Sequence, residues 1–269
     1  MMRYLALSLA FAAACCSQSS NGALQAGYQH MYNCQFAAAH RDFAQFQKKY
    51  PDDPMGPVSD AADYLFTEFA RLKILRADFL SKNKSLLQGK KVASDPKNVK
   101  QFQADLKRTK ALADKALRKS PGDESALLAR VMRFTLDADY DALIEKKYGK
   151  AFAEIKAATR NARVLLSKHP DCMDAKLAIG FENYILSYKS APVRWFLNVR
   201  GTGTSRNKGI RDMRATAEKG NYLKPYAKVL LALAALRDGK RKEARKMLAQ
   251  LAAAYPQNVL FQSELKKLT

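Results

Sequence analysis

The chain has 269 residues and a formal net charge of +22, with 47 Lys and Arg set against 25 Asp and Glu. With only 12 Gly and 9 Pro, a dominance of Ala, Leu, Lys and Arg, and no strand signals, the composition excludes β sandwiches and barrels and fits an all-helical protein. So strong a positive balance attracts anions.

The amino terminus reads Met-Met-Arg-Tyr, then an unbroken small and apolar stretch from Leu5 to Ala14, then Cys15-Cys16 and a Ser, Asn and Gly tether to Gly22. A basic start and a short apolar segment make an export signal, too short for the ~20 helical residues that span a bilayer. Ala12-Ala13-Ala14 fits ordinary signal-peptidase cleavage. The same residues followed by Cys15 also resemble a bacterial lipoprotein start, in which Cys15 carries acyl chains. Either way residues 1–22 are signal and tether with cleavage near Cys15, and residues 23–269 form one helical domain.

Helix one is expected over about Ala23 to Tyr32, turning through Asn33-Cys34-Gln35 into helix two, which Pro51-Asp52-Asp53-Pro54 stops after Tyr50. A third helix begins near Pro57 and keeps an apolar stripe through Ala61, Leu65, Phe69, Leu72, Leu75 and Phe79. Ser81 to Val92 is a lysine-rich connection, after which Asp95-Pro96 caps a fourth helix ending near Ser120. A further pair spans Glu124 to Lys146 and Lys150 to His169. Another opens at Asp171, is broken by Pro192, and resumes from Arg206 to Lys219. The last pair covers Pro225 to Arg237 and Lys242 to Tyr255, and Asn258 to Leu268 is a short amphipathic helix suited to cap an open end.

One spacing occurs at both ends of the chain. Gly27, Ala39, Phe43, Phe46 and Pro51 are matched at the same offsets by Ala232, Ala244, Leu248, Leu251 and Pro256, and in part by Ala158, Ala162, Leu165 and Pro170. Small residues let two helices cross closely, apolar positions bury the contact and the proline ends the unit. Over Ala23–Pro51 and Ala227–Pro256, and more weakly over Lys146–Pro170, the chain resembles bacterial tetratricopeptide-repeat proteins. From Gly180 to Pro256, with Trp195-Phe196-Leu197, Arg200-Gly201, Gly209-Ile210 and Asn221-Tyr222-Leu223, it looks like the exported members related to the outer-membrane group. The resemblance implies a right-handed α-solenoid of about five antiparallel helix pairs with a carboxy-terminal capping helix. It also implies that the first helix of each pair lines a concave groove. Tyr28, Met31, Tyr32, Leu65, Phe66, Phe181, Tyr184 and Tyr226 then face that groove, an aromatic surface for a protein or peptide partner.

Charge is concentrated in two stretches. Ser81 to Lys119 holds twelve Lys or Arg against three Asp, and Lys189 to Arg214 holds seven against Asp212 alone. An exported chain with this field points to anionic lipid, envelope polysaccharide or an acidic partner rather than to nucleic acid. In the Pro192 excursion, Arg194, Trp195, Phe196 and Arg200 either meet a lipid interface or ligand, or plug the gap between helix pairs.

No catalytic, metal or cofactor machinery is legible. Asp137-Ala-Asp139-Tyr-Asp141 lacks the glycine and the closing glutamate of a calcium loop and reads as an acidic helix face. Gly201 to Gly209 does not satisfy a phosphate-loop pattern. His30 and His40 match no zinc spacing, and Cys34 and Cys172 are expected to be buried thiols, too far apart to bridge. The expectation is an exported, non-enzymatic adaptor of the periplasm or cell envelope that binds without a cofactor. The alternative is a basic envelope protein that holds anionic lipid or polysaccharide.

Overall fold

The computed structural model describes residues 22–74, 93–187 and 206–268, and everything regular in them is helical. In chain order these are α1 (22–32), α2 (Phe36–Lys49), α3 (Met55–Arg71), α4 (Pro96–Lys119), α5 (Glu124–Tyr140), a π-turn (Asp141–Glu145), α6 (Tyr148–Lys168) and α7 (Ala175–Ser187). They continue as α8 (Arg206–Lys219), α9 (Lys224–Arg237), α10 (Arg241–Ala254) and α11 (Val259–Lys266). Each helix from α2 to α11 packs chiefly on the helices next to it in sequence.

The helix ends follow local chemistry. Asp95, Asp123 and Asn258 accept the N–H groups of Lys97, Ala126 and Leu260, satisfying donors that the first turn leaves open. At the other ends the chain turns back through left-handed residues: Cys34 (φ 60°), Lys73 (φ 57°), Lys146 (φ 60°) and Gly239 (φ 72°). After Cys34, Lys73 and Gly239 the next N–H reaches five residues back, from Gln35 to His30, Ile74 to Phe69 and Lys240 to Ala235, each at 2.9 Å.

Two expectations are corrected here. The third helix does not run on toward Phe79: it ends at Arg71, because the turn at Lys73 drives Ile74 into the core, and Leu75 to Phe79 lie outside the described residues. Cys172 is buried as expected, but Cys34 is exposed, because it occupies the outward corner of the turn after α1; neither is bridged.

The small residues mark close crossings. A Cβ on Gly27 would lie 2.3 Å from the Phe43 ring, so α2 presses an aromatic face on the α1 backbone. Between α7 and α8 the backbones themselves meet: a Cβ on Gly180 would lie 2.8 Å from the Gly209 carbonyl oxygen. Phe43, Phe46 and Phe69 are among the most completely buried side chains, in a core drawn from α1 to α7.

The row of helices also meets its own beginning. The Tyr32 hydroxyl donates to the Tyr222 carbonyl oxygen (3.0 Å), the Asn258 amide donates to the Tyr32 carbonyl oxygen (2.8 Å), and the Gln257 N–H donates to Asn33 Oδ1 (3.2 Å). Two buried carboxylates fasten the interior further. Asp174, from the α6–α7 turn, accepts the N–H groups of Asn221, Tyr222 and Leu223 at 3.0, 3.2 and 3.0 Å, capping α9, whose own preceding residue Leu223 has no capping side chain. Glu68 on α3 accepts from Arg71, Asn98 and the Asp95 N–H, joining the end of α3 to the start of α4.

Two changes test this account. Asp174→Ala removes the acceptor of three N–H groups, that of the buried Tyr222 among them, and is expected to lower the unfolding free energy by about 2 kcal/mol, read by urea titration. Lys73→Gly relieves a left-handed non-glycine residue and should gain about 1 kcal/mol, a rise of roughly 2–4 °C in Tm.

Candidate functional site

Helices α1, α3, α5, α7 and α9 contribute most of the interior. Tyr28 and Tyr32, one turn apart on α1, lie tilted against Tyr222 and Tyr255 with ring centroids 5.0 and 5.6 Å apart. Phe66 on α3 stands edge-on to both Tyr32 (5.9 Å) and Tyr226 (5.6 Å). Such pairs contribute beyond their area, but a tyrosine can be buried only if its hydroxyl finds a partner. Tyr28 shares a 2.8 Å hydrogen bond with Ser59, Tyr32 donates to the Tyr222 carbonyl, and Tyr226 donates to Asp139 at 2.9 Å. Burial holds these three phenols well above their ordinary range and pushes the Asp139 carboxyl up to about 7, against the opposing Tyr226 hydrogen bond.

Of the eight residues expected to face an open groove, Tyr28, Met31, Tyr32, Leu65 and Tyr184 are buried, and Phe66, Phe181 and Tyr226 are half-buried. The first five are committed to contacts within the chain. Tyr32, Phe66 and Tyr226 come together at one end of the interior, where a cavity of about 470 Å³ opens. Its walls are Met31 and Tyr32 from α1, Phe66 and Phe69 from α3, Val229, Leu233 and Leu236 from α9, and Leu248 from α10, closed on one side by Val259, Leu260 and Phe261 of α11. Phe181 lies apart, on a smaller cleft beside Asp139. Cys15, Arg194, Trp195, Phe196 and Arg200 lie outside the described residues.

The large cavity is mainly apolar. Asn258 spends its side chain on Tyr32 and Leu260, and Glu264 pairs with Lys267 through Oε1 at 2.7 Å while its buried Oε2 has no hydrogen-bond partner; Lys73 and Cys34 also line the cavity. Its volume falls within the ~300–1,000 Å³ range of small binding sites, and its walls suit apolar groups. Among the described residues no group of His, Cys, Asp and Glu is arranged to hold a metal ion.

A second constellation joins α2, α3 and α4. His40 Nδ1 bonds Asp60, its Nε2 lies 3.1 Å from the fully buried Asp63, and its ring rests 4.1 Å from Tyr64. Gln47 donates to Asp60 and accepts from Arg108. Burial, opposed by the His40 charge, pushes the Asp63 carboxyl up to about 8; burial and then Asp60 bring Asp105 to about 7. Burial alone would lower His40, but the Asp60 bond and the charges of Asp63, Asp60 and Asp105 outweigh it and raise it. The spacing of histidines misses this cluster; its signal is Asp60 and Asp63 on the otherwise apolar face of α3.

Of the aspartates from Asp137 to Asp141, Asp139 turns inward to Tyr226, whereas Asp137, paired with Arg133 (2.9 Å), and Asp141, which opens the π-turn and pairs with Lys150 (2.8 Å), lie near each other and near Glu154. Comparison of the chain with models of known protein families gives no match, and comparison with curated protein sequences gives none.

Asp63, Asp105 and His40 all hold their protons more tightly folded than unfolded. Their stabilising contribution is complete below the carboxylates' ordinary value of 3.8 and is lost as pH rises toward about 8. Urea unfolding is expected to give a smaller free energy at pH 8 than at pH 5, and Asp63→Asn should flatten that difference.

Proposed function

We propose that this is an exported, non-enzymatic helical-repeat protein that receives apolar side chains of a protein or peptide partner in the cavity at the mouth of its aromatic interior. In this reading α1–α2, α3–α4, α5–α6, α7–α8 and α9–α10 are five tetratricopeptide-like pairs of a right-handed solenoid, and α11 is its cap. The crossings at Gly27 and Gly180 support the pairing, since both glycines sit where the repeat places a small residue. The amino-terminal signal carries the chain to the periplasm or cell envelope, with Cys15 at the cleavage point.

One observation carries the functional reading: a mainly apolar cavity of about 470 Å³ walled by Met31, Tyr32, Phe66, Phe69, Leu233 and Leu248. Buried apolar anchors in well-shaped pockets supply most of the affinity of peptide complexes. The walls offer no nucleophile held by a base, so the arrangement suits binding rather than bond-making.

Displayed-peptide selection on the wild-type protein, with Leu233→Trp as the counter-screen, tests this. The enriched peptides should carry two or three spaced apolar residues and lose on the order of tenfold or more in affinity for the filled variant. Its Tm should be retained. Equal binding to both proteins would remove the cavity as the site.

A further inference from the structure

The charge of this protein is sorted by helix. The second helices of the pairs, α2, α4, α6, α8 and α10, together carry twenty-five Lys or Arg against seven Asp or Glu. The first helices, α1, α3, α5, α7 and α9, carry seven of each. All the cations of the second helices are exposed except Lys156 and Arg206, which are half-buried.

The sorting is sharpest on α4. Phe102, Leu106, Thr109 and Ala113 face the core, and at 100° per residue the opposite pole carries Lys97, Lys100, Lys107, Arg108, Lys115 and Arg118. Between them stand only Ala104 and Ala111, short side chains that leave the cations projecting; of the lysines in this row, Lys115 pairs with an acid, the exposed Asp52, at 2.9 Å. The row runs about 30 Å along the helix. Both acids of α4 are turned aside from it: Asp114 is held by Lys110 and Arg130, and Asp105 faces the His40 cluster. The row is also continuous with α2, where Arg41 and Lys48 are exposed, because Arg108 bonds Gln47 across the two helices at 2.8 Å.

We infer that the outward row of α4, extended by α2, is a docking track for a linear anionic polysaccharide. A straight line of cations complements a chain with repeated carboxylate or sulfate groups along its length. Single-stranded nucleic acid is disfavoured by chemistry: it binds on exposed aromatic platforms, and among the described residues the large apolar side chains left exposed are Val164 and Val259, neither aromatic. A bilayer is disfavoured because the row contains no bulky apolar side chain to enter it. Four of the six cations are lysines, point charges suited to diffuse attraction rather than to bidentate reading of phosphates. This choice of occupant rests on the exported setting proposed above, where such polymers lie. This site is independent of the cavity.

The test measures binding to heparin and polygalacturonate, with a short DNA duplex and phosphatidylglycerol vesicles in parallel, across a salt series. A Lys100→Gln, Lys107→Gln, Arg118→Gln variant should lose about tenfold in polysaccharide affinity and bind with a shallower salt dependence. A charge-matched control, Lys219→Gln, Lys242→Gln, Lys246→Gln on α8 and α10, should lose less than about threefold. Equal losses would reduce the effect to net charge and overturn the track, and tighter binding of duplex or vesicles than of either polysaccharide would overturn the occupant. Lysine acylation of the wild-type chain supplies a readout that needs no variant. Lys100 and Lys107 should be protected by polysaccharide relative to Lys219 and Lys242, and uniform protection would count against the track.

Discussion

The structure depends on packing four tyrosines from the two ends of the chain against each other, three of them buried and Tyr255 half-buried. Tyr28 and Tyr32 of α1 lie tilted against Tyr222 and Tyr255, residues about two hundred positions later. An unsatisfied hydroxyl in such a place costs about 1–3 kcal/mol. The Tyr32 hydroxyl meets this by donating to the backbone of Tyr222, while its own carbonyl accepts from Asn258. Each polar group therefore specifies a partner at the far end of the sequence. What would be an inner groove in an open row of helices becomes a largely packed interior among the described residues, with its large cavity where α11 crosses its mouth.

That demand organises the polar chemistry around it. The N-terminus of α9 must be presented to the interior so that Tyr222 and Tyr226 reach their partners, and no local side chain caps it. Asp174 does so from the α6–α7 turn, with burial raising its carboxyl and three N–H groups opposing that rise. Gly220 leaves room for it, since a Cβ there would lie 2.6 Å from an Asp174 oxygen. The cationic side chains, which cannot be desolvated without partners, are left to the second helices, so a neutral inner layer and a basic outer layer arise from one constraint.

Much of this was legible in the residues alone. The pairing of helices, the Asp95-Pro96 start of α4 and the small residues at close crossings rest on interactions between residues a few positions apart or on repeated spacing. The turn at Lys73 was not legible, because a left-handed non-glycine residue has no compositional mark; it was imposed by the burial of Ile74. His40 looked like an isolated histidine until α2, α3 and α4 brought Asp60, Asp63 and Asp105 around it. The candidate groove residues lie on α1, α3, α7 and α9, but whether they faced solvent could not be read from their positions.

The sequence by itself determined an all-helical chain, which face of each helix is apolar, and where the cations fall, because helix period and capping act over three or four residues. Only the tertiary structure decided that the row meets its own beginning, that Asp174 caps a helix nearly fifty residues away, and that a cavity remains beneath α11. Those outcomes depend on how successive crossings accumulate in space. No short-range pattern encodes that sum.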